Sequence, residues 1–155
     1  MSRRSPARSA FDQFVRGYVD AALWSSTDNA DASGGRPLDD NYTAADIARA
    51  SLQSMKRDCA RFVKRNRRDL ASYCELVVRH GESASCMEFA GHDFWLTRNG
   101  HGSGFWDRDG VGESGAPAGP TGLGARLTDA AHAFGTSDIY VGDDGRLYVS
   151  PENRR

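Results

Sequence analysis

The stretch from Gly91 to Arg108, GHDFWLTRNGHGSGFWDR, constrains the fold most, because it concentrates aromatic residues around a turn signal. Two runs rich in aromatic and β-branched residues, FWLTR and SGFWD, flank the sequence NGHG at 99–102, which is typical of hairpin turns. A loop of two or four residues gives one strand register, and a loop of three residues gives another. The stretch therefore predicts a β-hairpin on which the remaining elements pack.

Alternate side chains of a strand take opposite faces, so the hairpin has an aliphatic face and a tryptophan face. In the first register the aliphatic face holds three residues that we expect in the core: Phe94, Leu96 and Phe105. The other face pairs Trp95 with Trp106 and Asp93 with Arg108, and the turn adds Asn99 and His101 to this candidate binding surface. The tryptophan pair is either a covered cross-strand contact, worth roughly 0.2–1 kcal/mol, or a partly exposed aromatic platform for a partner.

The N-terminal third carries a clear helical pattern. Ser9 followed by Asp12 has the spacing of a capping box, and apolar residues recur at helical intervals behind it. This predicts an amphipathic helix over 10–25, in which Gly17 allows a close packing contact. Thr43 and the acidic residue three positions later predict a second helix start.

The apolar residues of 70–77 either continue that second helix or start a third, and residues 80–90 are predicted as a loop. A helix with its buried stripe between 121 and 134 follows a Gly/Pro-rich loop. Asp144-Gly145 predicts a second hairpin with Tyr140 opposite Val149.

This order of elements predicts an α+β fold. Two or three N-terminal helices pack on an antiparallel sheet of about four strands, made of the two hairpins, with one further helix between them. The length favours a single domain over 9–150, with a flexible basic tail at 1–8 and a flexible tail at 151–155.

Charge and cysteine content narrow the class further. The net charge is −1, so the whole chain lacks the electrostatic signature of a nucleic-acid-binding protein. Three cysteines at 59, 74 and 86 fit no zinc pattern, and we expect free thiols in a reducing cytoplasm. The basic N-terminus precedes no apolar run, which argues against a signal peptide and a membrane span.

One helix face is locally basic despite the neutral total. Arg57, Arg61, Lys64 and Arg68 recur at helical spacing and form a strip. We expect these charges to pair with the aspartates of 28–40 or with an acidic protein, and nucleic acid is the alternative partner.

A second hypothesis for chemistry concerns a histidine and two aspartates. In the predicted hairpin His92 lies opposite Asp109 and next to Asp107, an arrangement suited to a divalent metal or to a base oriented by an acid. The alternative is that these are hydrogen-bonding residues at strand ends. No serine or cysteine occupies a nucleophile motif such as G-x-S-x-G.

Three strings resemble a family of small proteins encoded in tailed-bacteriophage genomes: the central GHDFWLTRNGHGSGFWDR, the upstream FVRGYVDAALWSSTD and the downstream SDIYVGDDGRLYV. The resemblance covers most of 10–150, with apparent insertions around 80–88 and 110–120. It implies an accessory protein in the host cytoplasm that binds and inhibits or modulates a host protein or complex, as an anti-defence inhibitor does. No catalytic residue can be carried over from this family, and we expect no cofactor. The histidine and aspartates favour a small metal-dependent hydrolase or nuclease as the alternative.

Overall fold

The structure is a computed structural model that describes residues 9–28, 35–79, 85–101, 103–107 and 122–150. Within these ranges the elements in chain order are α1 (Ala10–Ser25), β1 (Thr27–Asp28), β2 (Arg36–Pro37), α2 (Arg49–Arg65), α3 (Arg67–Arg79), α4 (Cys86–Arg98), α5 (Leu123–His132), β3 (Ile139–Val141) and β4 (Leu147–Val149). Short 3-10 turns lie at Leu38–Asp40, Ala44–Asp46 and Phe105–Asp107. The predicted tails at 1–8 and 151–155 and the whole Gly/Pro-rich loop at 109–120 lie outside the described residues.

The predicted α+β fold with a four-stranded sheet is wrong, because the described chain is mostly helical. Its strands form two separate antiparallel pairs, β1 with β2 and β3 with β4. The predicted central hairpin is instead the helix α4 followed by the 3-10 turn Phe105–Asp107. Residues 93–98 of α4 are all buried, so the helix has no solvent-facing side along this stretch. Its sequence therefore lacks the alternation of polar and apolar faces that marks a surface helix. A short apolar run of this kind does not distinguish a strand from a buried helix.

The first helix is confirmed with its start. Asp12 N donates to Ser9 Oγ at 3.0 Å, and α1 ends at Ser25. The predicted stripe is buried or half-buried along its length: Phe11, Phe14, Val15, Tyr18, Val19 and Ala22.

The packing of α1 against α4 depends on two glycines, one on each helix. A Cβ added to Gly17 would lie 1.8 Å from the carbonyl oxygen of Glu88. One added to Gly91 would lie 1.9 Å from the carbonyl oxygen of Phe14. The two backbones therefore meet directly, which confirms the close contact expected at Gly17 and brings Phe94 within 6.0 Å of Phe14 between ring centroids.

The second helical region divides in two. Thr43 and Asp46 do form a capping box, but they cap the 3-10 turn Ala44–Asp46, and α2 begins only at Arg49. Asn66 ends α2, with its backbone N–H donating to the carbonyl of Phe62 at 3.1 Å. The apolar residues that follow belong to a separate helix, α3, so one of the two predicted alternatives is confirmed.

The C-terminal helix and hairpin are both present, but the hairpin register differs from the prediction. Tyr140 pairs with Tyr148 and not with Val149. Gly142 N donates to the carbonyl of Arg146 at 2.7 Å, which encloses a loop of three residues that includes Gly145 at φ +79°. The three-residue loop shifts the pairing by one position relative to the expected two-residue turn.

The cysteine prediction is wrong for two of the three thiols. Cys74 and Cys86 form a disulfide that joins α3 to α4, with their Cα atoms 5.2 Å apart. Residues 86–90 were expected in a loop, but they form the first turn of α4, and this places Cys86 against α3. Cys59 is free and buried. None of the helices in the described ranges has the length and apolar character needed to cross a bilayer.

Candidate functional site

The two tryptophans of the predicted platform lie in different environments. Trp95 is a core residue, 2 % exposed, whose ring meets Tyr18 edge-on and whose Nε1 donates to Ser25 Oγ at 2.9 Å. Trp106 follows α4 in the 3-10 turn and is 49 % exposed. The predicted Trp95–Trp106 cross-strand pair is not formed, because the residues do not lie on paired strands.

The polar residues of the predicted surface also separate. Asp93 is buried and accepts a 2.7 Å hydrogen bond from the hydroxyl of Tyr73. Its predicted partner, Arg108, lies outside the described residues. Asn99 ends α4: its Nδ2 donates to the carbonyl of Trp95 at 3.0 Å, and its Oδ1 accepts from Ser137 N at 2.8 Å. Asn99 therefore fixes the segment that leads from α5 to β3 against the end of α4.

Arg98 holds the same segment from the interior. Its Nε donates to the carbonyl of Gly135 at 2.9 Å and its Nη2 to that of Phe134 at 3.1 Å. Its Nη1 bonds the carboxylate of Asp58 and the hydroxyl of Tyr18, both at 2.8 Å. Burial raises the pKa of Tyr18 well above its ordinary value, so this phenol stays neutral and accepts from Arg98.

A pocket of about 320 Å³ opens where α1 and α4 both end. Three of the six predicted binding residues line it, namely Trp95, Asn99 and His101, and so does Ser137, which Asn99 holds. Its lining comes from the end of α1, the end of α4 and the segment before and within β3: Ser25, Ser26, Thr27, Trp95, Asn99, His101, Ser137, Asp138, Ile139 and Tyr140. The volume falls in the range of small ligand pockets or of a pocket for one inserted side chain.

The pocket is rich in hydrogen-bond acceptors. The C-terminal ends of α1 and α4 both lie at this pocket, and the dipole of each helix favours positive charge there. The carbonyl groups of Trp95, Leu96 and Thr97 at the end of α4 already accept backbone N–H groups of residues 99–101. Asp138 adds an exposed carboxylate, and Ser26 and Thr27 add hydroxyls. His101 also belongs to this lining and is exposed. The arrangement suits a cationic or hydrogen-bond-donating group.

Exposed aromatic rings lie in and beside the pocket. Tyr140, in the lining, is 44 % exposed. Trp24, one residue before the lining begins, is 55 % exposed and lies over His92 with ring centroids 5.8 Å apart. His92, Trp95 and Asn99 are spaced at i, i+3 and i+7 on α4 and thus share one face of that helix. Trp24 and His92 are not part of the pocket lining, but they lie on the same side of α4 as Trp95 and Asn99.

The hypothesis of a metal site at His92, Asp107 and Asp109 depended on the hairpin that is not formed. Asp109 and the side chain of Asp107 lie outside the described part of the chain, so this site stays a prediction. Among the residues that are described, no group of three or more His, Cys, Asp or Glu side chains is placed to hold a metal ion. Burial also raises the pKa of the Cys59 thiol well above its ordinary value, which leaves it a poor nucleophile.

The four residues of the predicted basic strip are exposed, but they do not lie on one helix, because the chain breaks at Asn66 between α2 and α3. Arg57, Arg61 and Lys64 lie on α2 and Arg68 lies on α3, all with exposed side chains. No ion pair joins any of the four to a carboxylate of the described chain. The expected pairing with the acidic loop is absent at the positions that are described, since buried Asp28 bonds Asn41 instead.

Sequence reasoning missed Asp138 and Tyr140 as surface residues of a pocket, since only the fold brings them beside α4. The chain matches no family model, no curated protein and no solved structure. The function is therefore argued from its own geometry.

Proposed function

We propose that this chain is a non-catalytic binding protein that attaches to a host protein or complex and inhibits or modulates it. The observation that carries the proposal is the pocket at the ends of α1 and α4 with the exposed rings of Trp24 and Tyr140. Tryptophan and tyrosine are enriched among the residues that dominate binding energy at protein interfaces. The resemblance to small phage proteins supplies the setting, which is a bacterial host during infection or from a prophage.

The partner presents a lysine or arginine side chain to the pocket. The acceptors that converge there are Asp138, the hydroxyls of Ser26 and Thr27 and two helix ends, and they favour a donor with positive charge. The rings of Trp24 and Tyr140 then cover the aliphatic stem or stack on a guanidinium group. Such an interface acts by occupying the partner's surface and requires no bond to be broken.

The compartment is part of this proposal. A phage accessory protein acts in the host cytoplasm, whereas stable disulfides are typical of oxidising compartments. If the protein acts in the reducing cytoplasm, the Cys74–Cys86 bond is therefore expected to be reduced there. Rapid alkylation of thiols in growing cells would report it: two reactive thiols place the protein in the reducing cytoplasm, and protection of both places it elsewhere.

The experiment compares two surface variants with a matched control. Trp24→Ala and Tyr140→Ala each remove an exposed ring, while Val78→Ala removes a 57 % exposed apolar side chain on α3. Immobilised protein is used to recover partners from a bacterial host lysate, and each recovered protein is then purified and titrated. We expect the true partner to lose about tenfold or more in affinity with either ring variant and to keep its affinity for Val78→Ala.

The pocket itself is tested by Asp138→Lys, which places a like charge where the partner's cation inserts. We expect this variant to lose binding, and a photo-crosslinker at position 140 to map to a lysine- or arginine-bearing segment of the partner. A partner whose affinity is indifferent to all three substitutions would contradict the proposal, as would a lysate that yields no specific protein.

A further inference from the structure

The segment 56–68, at the end of α2 and the start of α3, carries an unusual density of exposed positive charge. Seven of its thirteen residues are basic and all seven side chains are exposed: Lys56, Arg57, Arg61, Lys64, Arg65, Arg67 and Arg68. These seven are called the basic face below.

Carboxylates within or next to the segment do not neutralise this face. Asp58 is buried and pairs with Arg98 from α4, at 2.8 Å. Asp69 pairs with Arg126 from α5, at 2.9 Å. Each carboxylate is thus compensated by a cation from another helix, and the seven positive charges of the basic face are left over.

Carboxylates from elsewhere do not reach the face either, as far as the described residues show. Asp39 and Asp40 are exposed and form no ion pair with it. Arg65 lies over the ring of Phe134 at 5.8 Å from its centroid, a contact that leaves its charge uncompensated.

Helix stability accounts for only part of the arrangement. Lys64 and Arg65 lie in the last turn of α2, where the helix dipole favours cations. Like charges one turn apart repel and slightly destabilise a helix. Arg67 and Arg68 lie in the first turn of α3, where the helix dipole favours acidic side chains. The other five cations of the face gain no such stabilisation from a helix end, and an external anion explains them better than the fold does.

The composition of the face favours one class of anionic partner. Protein interfaces rely on apolar and aromatic anchors at their centre. Apart from the basic residues, the exposed positions between 56 and 71 are only the alanines 60 and 71. Phosphodiester backbones need no such anchor, and five of the seven cations are arginines, whose planar fork matches phosphate oxygens. The absence of an exposed aromatic on this segment argues against base stacking and thus against single strands.

We propose that the basic face binds the phosphate backbone of double-stranded nucleic acid without reading its sequence. It is a second contact surface, carried by observations that are independent of the pocket at the ends of α1 and α4. Because the net charge of the chain is −1, the attraction to phosphate is confined to the basic face. Binding is expected to weaken steeply as the salt concentration rises, because the contacts are electrostatic. The dissociation constant at physiological salt is expected in the range of about 10⁻⁴–10⁻⁶ M that is typical of non-specific binding.

The test measures binding of a labelled random-sequence DNA duplex by fluorescence anisotropy over a salt series. Wild-type protein is expected to give a log–log slope of about −0.9 for each phosphate neutralised. The variant Arg61→Glu/Lys64→Glu is expected to bind about tenfold more weakly or worse, and to reduce the slope by roughly 1.8.

The matched control is Arg36→Glu/Arg146→Glu, which makes the same change in net charge at exposed positions outside the face. This control is expected to bind the duplex like wild type, and so are Trp24→Ala and Tyr140→Ala. No binding at low salt would overturn the proposal, and so would equal losses in the two charge-reversal variants. Tighter binding to polyglutamate than to the duplex would also overturn it, in favour of an acidic protein partner.

Discussion

Arg98 and the arginines of the basic face are the same residue type in opposite environments. The Arg98 side chain is 0 % exposed and its guanidinium bonds a carboxylate, a hydroxyl and two carbonyl groups. Arg61, on the neighbouring α2, is exposed and has no ion-pair partner in the described chain. The difference separates a charge that the fold requires from charges that the fold leaves available.

A buried charge is tolerated only when its hydrogen bonds and its counter-charge are complete. Arg98 meets this condition with partners from α1, from α2 and from the residues after α5, so it connects these three parts of the chain to its own helix α4. The exposed arginines have water as their partner and need no such arrangement. An exposed charge without a partner costs the fold little free energy. Its counter-charge can come from another molecule.

Of the substitutions that test this comparison, Arg98→Ala is expected to change the free energy of unfolding most. It leaves the buried carboxylate of Asp58 without its cation, so the free energy of unfolding should fall by about 3–5 kcal/mol. Urea unfolding followed by far-UV circular dichroism measures this, with Arg61→Ala as the matched arginine variant. A loss no larger than that of Arg61→Ala would contradict the role assigned to Arg98.

The disulfide links the two regions that are compared, because it joins α3, which carries part of the basic face, to α4, which carries Arg98. Its removal in Cys74→Ala/Cys86→Ala should lower the free energy of unfolding by about 2–4 kcal/mol, since the unfolded chain gains freedom. Wild-type protein should show the same loss under reducing conditions, whereas the double variant should not respond to reductant. Equal stability of wild type with and without reductant would show that the bond does not stabilise the fold.

The glycine contact between α1 and α4 predicts that Gly→Ala substitutions have the opposite sign from the one usual in a helix. In an exposed helix interior, Gly→Ala stabilises by about 1 kcal/mol. At Gly17 the new methyl group meets the backbone of Glu88, so we expect Gly17→Ala to destabilise by roughly 1–3 kcal/mol. Gly91→Ala should do the same from the opposite helix. Stabilisation by either variant in thermal unfolding would show that the helices do not meet there.

Much of the helical part of this fold could be predicted because surface helices show one apolar face and a capped start. The helix α1 was located by its stripe and by Ser9, whereas the spacing that predicted one basic strip runs across the break between α2 and α3. The helix α4 was not predicted because its residues 93–98 are all buried, although Ser85 and Glu88 carry the same capping pattern. That pattern was the signal that could have corrected the hairpin prediction.

The candidate surface was predictable only in part. Asn99 and His101 do line the pocket, but the predicted pairing of Trp95 with Trp106 depended on strand register and failed with it. The pocket depends on where α1 ends and how β3 approaches, and no local pattern encodes that. The disulfide was missed for the same reason, because residue spacing does not report the distance between two helices.

The carboxylate of Asp144 lies between the two extremes of buried, fully bonded Arg98 and the unpaired arginines of the basic face, because it is exposed but strongly hydrogen-bonded. The hydroxyl of Tyr148 donates to Asp144 and holds the pKa of that carboxyl below its ordinary value. A lowered folded-state pKa contributes stability above the unfolded pKa and loses it as pH falls through the folded pKa, here below about pH 4. Carboxyl NMR titration should show the lowered pKa in wild type and a return toward the ordinary value in Tyr148→Phe. An unchanged pKa in that variant would remove the hydrogen bond as its cause.

The smallest expected effect tests the central claim, that the fold does not use the charges of the basic face. The measurement is the free energy of unfolding of Arg61→Glu/Lys64→Glu, by urea titration beside wild type. We predict a value within about 0.5 kcal/mol of wild type, because surface charges without partners contribute little. A loss of about 2 kcal/mol or more would show that these residues have partners within the chain, and would contradict the claim that the face is free for an anionic partner.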